Sequence, residues 1–262
     1  VFGLPDGILR QERCLRRRNR TGVRQTASPG RSCSASSGRV YVRCSSIFWL
    51  GAESQYHTRM TPERKQRIID TACRRQPDLT VFMERVHKPH NLAAVLRTCD
   101  AVGVMHAHAV PGDRGLPALN HTAQGAQRWV ALTRHTETGR GLAELKRKGF
   151  TCVAAHFSDR AIDFRAVDYT RPTAVVLGTE KFGISDEAAE ACDEHIVIPM
   201  HGMTQSLNVS VACAVILYEA QRQRSLAGMY DGHDPKRAPW RDLIETWVAR
   251  DLARRKTALP EE

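Results

Sequence analysis

A chain of 262 residues, 42% hydrophobic and 26% charged, has the size and composition of one globular domain with appendages, or of two small domains. No run approaches the roughly 18 apolar residues of a helical membrane span, which removes that class. The net charge of +11 and pI near 9.6 point to an anionic partner, most simply nucleic acid.

That charge is uneven. Residues 1–59 hold eleven Arg, no Lys and three acidic residues, leaving +8 there and only +3 in the other 203. The same stretch, RQERCLRRRNRTGVRQTASPGRSCSASSGR at its centre, has no helical or strand period. It reads as a disordered Arg/Ser-rich extension, or as sequence upstream of a chain that starts at Met60. It contains no apolar stretch of secretory-signal length. The eight cysteines are dispersed without a CxxC pair, several in apolar settings, which suits buried thiols in a reducing, cytoplasmic protein. His87 and His90 have HxxH spacing without further ligands, so no metal is expected.

From Met60 the pattern alternates. Thr61-Pro62-Glu63 opens a helix, with Thr61 as cap and Pro62 at its first position, running to about Arg75. Strand-like runs follow at 80–86, 105–110, 129–132, 151–156, 173–177 and 195–199. Helical segments are expected at 91–102, 139–148, 161–166 and 185–192. A longer helix runs from Ser206 to about Arg224, with Leu207, Val211, Ala214, Val215 and Tyr218 on one stripe. Pro239–Lys256 reads as a basic helical tail. The alternation predicts an α/β fold, a mostly parallel sheet covered by helices on both faces. The division is an extension over 1–59, a domain over 60–230 and a tail over 231–262.

Three segments carry chemistry. In VHKPHNLAAVLRT, Pro89 disfavours helix at Lys88, Asn91 can cap the helix that follows, and Arg97 lies six residues on across a broad shared face. Each could equally be a plain cap and a solvated charge. In AVVLGTEKFGI, a buried strand meets a glycine-bracketed turn, where Gly178 permits close backbone approach. It lacks both phosphate-loop spacings, so a generic strand–turn–helix junction stays open, as does a nucleotide-binding loop. In IVIPMHGMTQSLNVSVACAVILYE, a strand ends near Pro199, a loop with Gly202 follows, and Ser206-Leu207-Asn208-Val209-Ser210 opens the long helix. Free N–H groups at such a start can hold a polar or anionic ligand.

Together and in this order, the three segments resemble the motifs of the SpoU/TrmH branch of the SPOUT methyltransferases. The likeness extends through RRQPDLT, DFRAVDYTRPT and LYEAQRQR and covers about Met60 to Tyr230. It implies a C-terminal deep trefoil knot, S-adenosylmethionine (SAM) as cofactor, a homodimer, and methylation of the ribose 2′-OH of guanosine 18 in tRNA. By the same resemblance, Ala155, Leu177, Gly178, Ile198, Met200 and Leu207 would line the cofactor pocket. Asn91, Glu180, Ser206 and Asn208 would shape the catalytic site, with Arg97 the catalytic residue. An Arg is a permanent cation, so pairing with a substrate phosphate and stabilising the alkoxide suits Arg97 better than service as a base. Arg67, Arg222 and Arg224 are candidates for RNA phosphate contacts, against the alternative of solvated surface charge. A ribosomal RNA ribose methyltransferase of this fold and a non-catalytic knotted RNA-binding protein are the competing readings.

Overall fold

The computed structural model describes residues 60–86, 88–112, 115, 128–179 and 182–257. The 1–59 extension, His87 and Glu180 lie outside the described residues. Seven strands form one sheet: β1 (Gln76–Glu84), β2 (Val104–Val110), β3 (Ala131–Arg134), β4 (Thr151–Ala155), β5 (Ile162–Asp163), β6 (Thr173–Leu177) and β7 (Glu194–Val197). Their spatial order is β3-β2-β1-β6-β4-β7-β5, and every neighbouring pair is parallel. A wholly parallel sheet must be covered on both faces, and this one is.

On one face lie α2 (Pro89–Ala101) and α5 (Val209–Leu226). Leu92, Val95, Leu96 and Cys99 of α2 and Val209, Cys213, Ile216, Leu217 and Ala220 of α5 pack with the sheet's Val81, Met83, Val153, Val175 and Leu177. On the other face, α3 (Thr138–Arg147) and α4 (Asp186–Ala191) cover Phe82, Cys152, Ala154, Ala174 and Val176. The two sets alternate along each strand, as the period of two requires. The remaining helices, α1 (Pro62–Ala72) and α6 (Trp240–Thr257), pair around Ile68, Ala72 and Trp247. Trp247 is nearly fully buried, with the Arg75 guanidinium over its ring at 4.9 Å, so the segment after Tyr230 is bound into the fold. All five described cysteines are buried. Burial pushes Cys152 up to about 11 and Cys192 up to about 12.

Several expectations shift. Thr61 does cap α1, its hydroxyl accepting from the Arg64 N–H. Asn91 does not cap α2: the helix begins at Pro89, with Lys88 as its cap. Proline's fixed φ and missing donor suit the first helical position, so the helix starts earlier and carries Asn91 into the interior. The expected helix at 161–166 is instead the short strand β5 followed by a single 3₁₀ turn, Phe164–Ala166. Ser206 does not cap α5 either; the cap is Asn208, whose side chain accepts from the Ser210 N–H at 2.9 Å. The stripe assigned to α5 faces the wrong way, with Val211 and Tyr218 47% and 53% exposed. The helix is apolar on two sides, and packing on α2 and the sheet buries the other one.

Candidate active site

In an open parallel α/β sheet ligands bind in the crevice outside the strands' carboxyl ends. Here β6, β4 and β7 are adjacent, with Ala154 paired to Val176 and Ala155 to Ile196. That register puts Ala155 level with Leu177, beside Gly178, and brings Ile198 and Met200 out just beyond β7. The strand interiors are closed, whereas Ala155, Ile198, Met200 and Leu207 are each left half-buried. These apolar side chains at the mouth of three strands suit the adenine ring and methylene groups of SAM, so the predicted lining fits the cofactor.

The glycine at the strand end also answers to its own chain. A Cβ on Gly178 would lie 2.0 Å from the Gly183 oxygen and 2.3 Å from the Ile184 nitrogen. On the side where a Cβ would stand, the chain's own backbone approaches Gly178. Thr179 and Gly183 exchange both backbone hydrogen bonds, 2.7 and 3.0 Å, closing the loop, and Gly183 turns it with φ of +69°.

Two motif residues far apart in sequence meet at this edge. Asn208 Nδ2 donates to Asn91 Oδ1 across 3.3 Å, joining the start of α2 to the start of α5. Asn91 is buried, while Asn208 is exposed and uses its own Oδ1 to hold Ser210. Ser206 is exposed in the non-helical approach to α5. Arg97 is also exposed, because six residues advance about 240° around a helix, so it does not share the buried face of Asn91. A solvent-facing guanidinium on α2 can meet a large anionic substrate.

The three RNA candidates separate. Arg67 is exposed on α1, and Arg222 is exposed while forming a two-pronged pair with Glu219 at 2.8 Å. Arg224 has no accessible surface. Its guanidinium donates to the carbonyls of Tyr169, Asp78 and Arg171, to Gln76 Oε1 and to Asp78 Oδ1. It therefore ties α5 to β1 and to the approach to β6, and the expectation that it touches RNA is corrected.

Sequence reasoning missed a buried carboxylate at the same edge. Glu84, the last residue of β1, is 2% exposed and accepts from Thr138 and Ser185. Its only signal in the sequence is one acid closing the apolar run LTVFME. Among the described residues no group of His, Cys, Asp or Glu could hold a metal ion, and no helix is long and apolar enough to cross a membrane.

The sequence model of the SpoU rRNA Methylase family matches residues 78–218. The tRNA (guanosine(18)-2′-O)-methyltransferase of Thermus thermophilus is 57% identical over 171 residues, spanning 65% of this chain and 88% of that protein. The A. aeolicus TrmH/SpoU tRNA modifying enzyme superposes with a TM-score of 0.68 at 40% identity, covering 72% of this chain and 97% of that one. The SpoU methyltransferase AviRb from Streptomyces viridochromogenes, solved in complex with the cofactor AdoMet, gives a TM-score of 0.52 at 26% identity over 57% and 59% of the two chains. A parallel sheet with its opening at β6, β4 and β7, bordered by Asn91 and Asn208, is thus a methyltransferase architecture. The chain belongs to the SpoU methylase family.

Proposed function

We propose that this protein transfers a methyl group from SAM to the ribose 2′-OH of guanosine 18 in the D-loop of tRNA. The observation that carries the reading is the Asn91–Asn208 contact beside the half-open apolar strand ends, in a chain 57% identical to a tRNA (guanosine(18)-2′-O)-methyltransferase. Ala155, Leu177, Gly178, Ile198, Met200 and Leu207 hold SAM, largely through backbone groups. When bound, SAM supplies a methyl carbon activated by its sulfonium centre. Catalysis then depends on alignment of the ribose oxygen and on stabilising the charge that develops there.

Arg97 is the residue assigned that charge. Its fork pairs with a phosphate flanking the target ribose and steadies the charge at O2′ as the oxygen takes the methyl, S-adenosylhomocysteine leaves and the hydroxyl proton passes to water. That role is open to a permanent cation as base chemistry is not. Asn91 and Asn208, each fixed by the other, orient the edge of the site, and Ser206 and Glu180 complete it. Arg67 and Arg222 supply phosphate contacts. The protein acts as a homodimer in the cytoplasm, with the C-terminal segment folded as the trefoil knot of its family. The exposed apolar Val211 and Tyr218 of α5 support an interface on that helix.

The test is methyl transfer from labelled SAM to an unmodified tRNA transcript, wild type beside Arg97→Ala, with the product mapped. Label at the D-loop guanosine, absent in the variant, is expected. SAM binding without tRNA labelling would overturn the substrate assignment and direct the assay to ribosomal RNA. A monomer by gel filtration at micromolar concentration would overturn the dimer.

A further inference from the structure

Glu84 occupies a position that nothing in the proposed chemistry uses. Its carboxylate is buried at the carboxyl end of β1, on the sheet face covered by α3 and α4. Oε1 accepts from the Thr138 hydroxyl at 2.8 Å and from the Ser185 hydroxyl at 2.7 Å. Oε2 accepts from the Ser185 backbone N–H at 2.7 Å. Among the described residues its partners are thus three neutral donors. A buried carboxylate is costly to desolvate and persists only when well satisfied. Here the satisfying groups stand at the first residue of α3 and at the N-cap of α4, where the helix dipoles also favour a negative charge.

The connections of those groups give the arrangement a purpose. Ser185 ends the loop that begins at Gly178, and Met83 pairs with Leu177, so Gly178 leaves the sheet level with Glu84. One end of the loop is held by the β1–β6 ladder and the other by the Glu84–Ser185 bonds. On the other side of Glu84, Arg85 adopts φ of +52° and turns the chain toward α2, which carries Asn91 and Arg97. One side chain therefore spans the segments of two motifs whose mutual placement defines the site.

We infer that Glu84 is a positioning residue of the cofactor site, clamping the Gly178–Ser185 loop to the β1–α2 turn so that the strand-end pocket is preformed. This rests on the reading of that pocket as the SAM site. Without the clamp the loop keeps its Thr179–Gly183 bonds and the buried Ile184 but loses its side-chain tie to β1, and a displacement of about 1 Å at a reacting centre can cost 10²-fold in rate.

The experiment uses the full chain, with SAM affinity measured by calorimetry without RNA, and kcat and KM for tRNA measured separately, well below each variant's melting transition. Glu84→Ala is expected to weaken SAM binding about tenfold and lower kcat up to about 10²-fold, with KM for tRNA unchanged. Glu84→Gln keeps an oxygen for the Ser185 N–H and turns its amide to hydroxyls that can accept. It should recover SAM affinity to within about threefold of wild type. Wild-type affinity and turnover in Glu84→Ala would overturn the inference, as would equal losses in Ala and Gln accompanied by a matching loss of tRNA affinity. If Glu84→Ala does not fold, Thr138→Val decides, since it removes a hydroxyl that holds Glu84 and keeps the side chain's shape, whereas the Ser185 hydroxyl also caps α4. A weaker SAM affinity supports the clamp and an unchanged one overturns it. Should wild type bind SAM and methylate no tRNA, the substrate reading fails while the SAM affinities still judge Glu84.

Discussion

Asn208 reaches Asn91 with its side-chain amide while its carbonyl oxygen caps α5, so one residue joins two motifs through two separable halves. Asn208→Asp keeps the capping oxygen and loses the donor. Asp is as good an N-cap as Asn, so its melting temperature should stay near wild type while methyl transfer falls. Asn208→Ala loses both and should cost about 1 kcal/mol of stability as well. Thermal melts beside single-turnover assays separate the two; equal activity in Asn208→Asp and wild type would remove the contact from the mechanism.

Arg97→Ala should lower kcat by about 10²-fold or more, the usual loss on removing a charge-stabilising donor. Arg97→Lys should fare nearly as badly, because a point charge cannot reproduce a planar two-pronged fork. A near-normal rate in the Lys variant would discard the fork argument.

Arg224 and Arg222 lie two positions apart on α5 and should behave oppositely. Arg224→Ala leaves the partly exposed Asp78 and several carbonyls without their donor, and unpaired buried acceptors of this kind cost about 1–3 kcal/mol. Denaturant titration measures that loss, and the salt dependence of tRNA binding by the folded fraction should be unchanged. Arg222→Ala should barely alter stability and should lower the salt slope by about one counterion.

Gly178→Ala places a methyl 2.0 Å from one backbone atom and 2.3 Å from another, and neither can move as a side-chain tip would. Overpacking of this kind costs about 1–3 kcal/mol or more. Loss of SAM affinity by calorimetry, with a lowered melting temperature, is the expected outcome.

Acid should weaken the fold through the imidazoles at β2 and β3. His108 Nδ1 lies 2.8 Å from His135 Nε2, and His106 stacks on His108 with centroids 4.8 Å apart. Burial, then the neighbouring His106 and His135, push His108 down to about 3. The folded value lies below the unfolded one near 6.5, so the unfolded chain binds more protons. Stability is complete above about 6.5 and is lost progressively as pH falls toward 3. Melting curves across that range should flatten in His108→Gln.

How much of this was legible depended on whether a signal was local. The capped start at Thr61, the apolar strand Thr173–Leu177 and the helix ending near Arg147 each follow from a few neighbouring residues. The run at 161–166 misled because its spacing resembles a helical turn, and only pairing with β7 makes part of it a strand. The stripe on α5 misled for the same reason: two apolar sides compete, and the partner helix chooses.

Local signals in the chain carried the parallel α/β class, most of the elements and the three motif segments, because periodicity, caps and turn residues act within a few positions. The tertiary structure alone decided that Arg224 is a buried tie, that Gly178 accommodates its own chain, and that Glu84 binds two helix starts. Each of those facts depends on which groups the folded chain brings together, and the balance of desolvation against hydrogen bonding is set only where they meet.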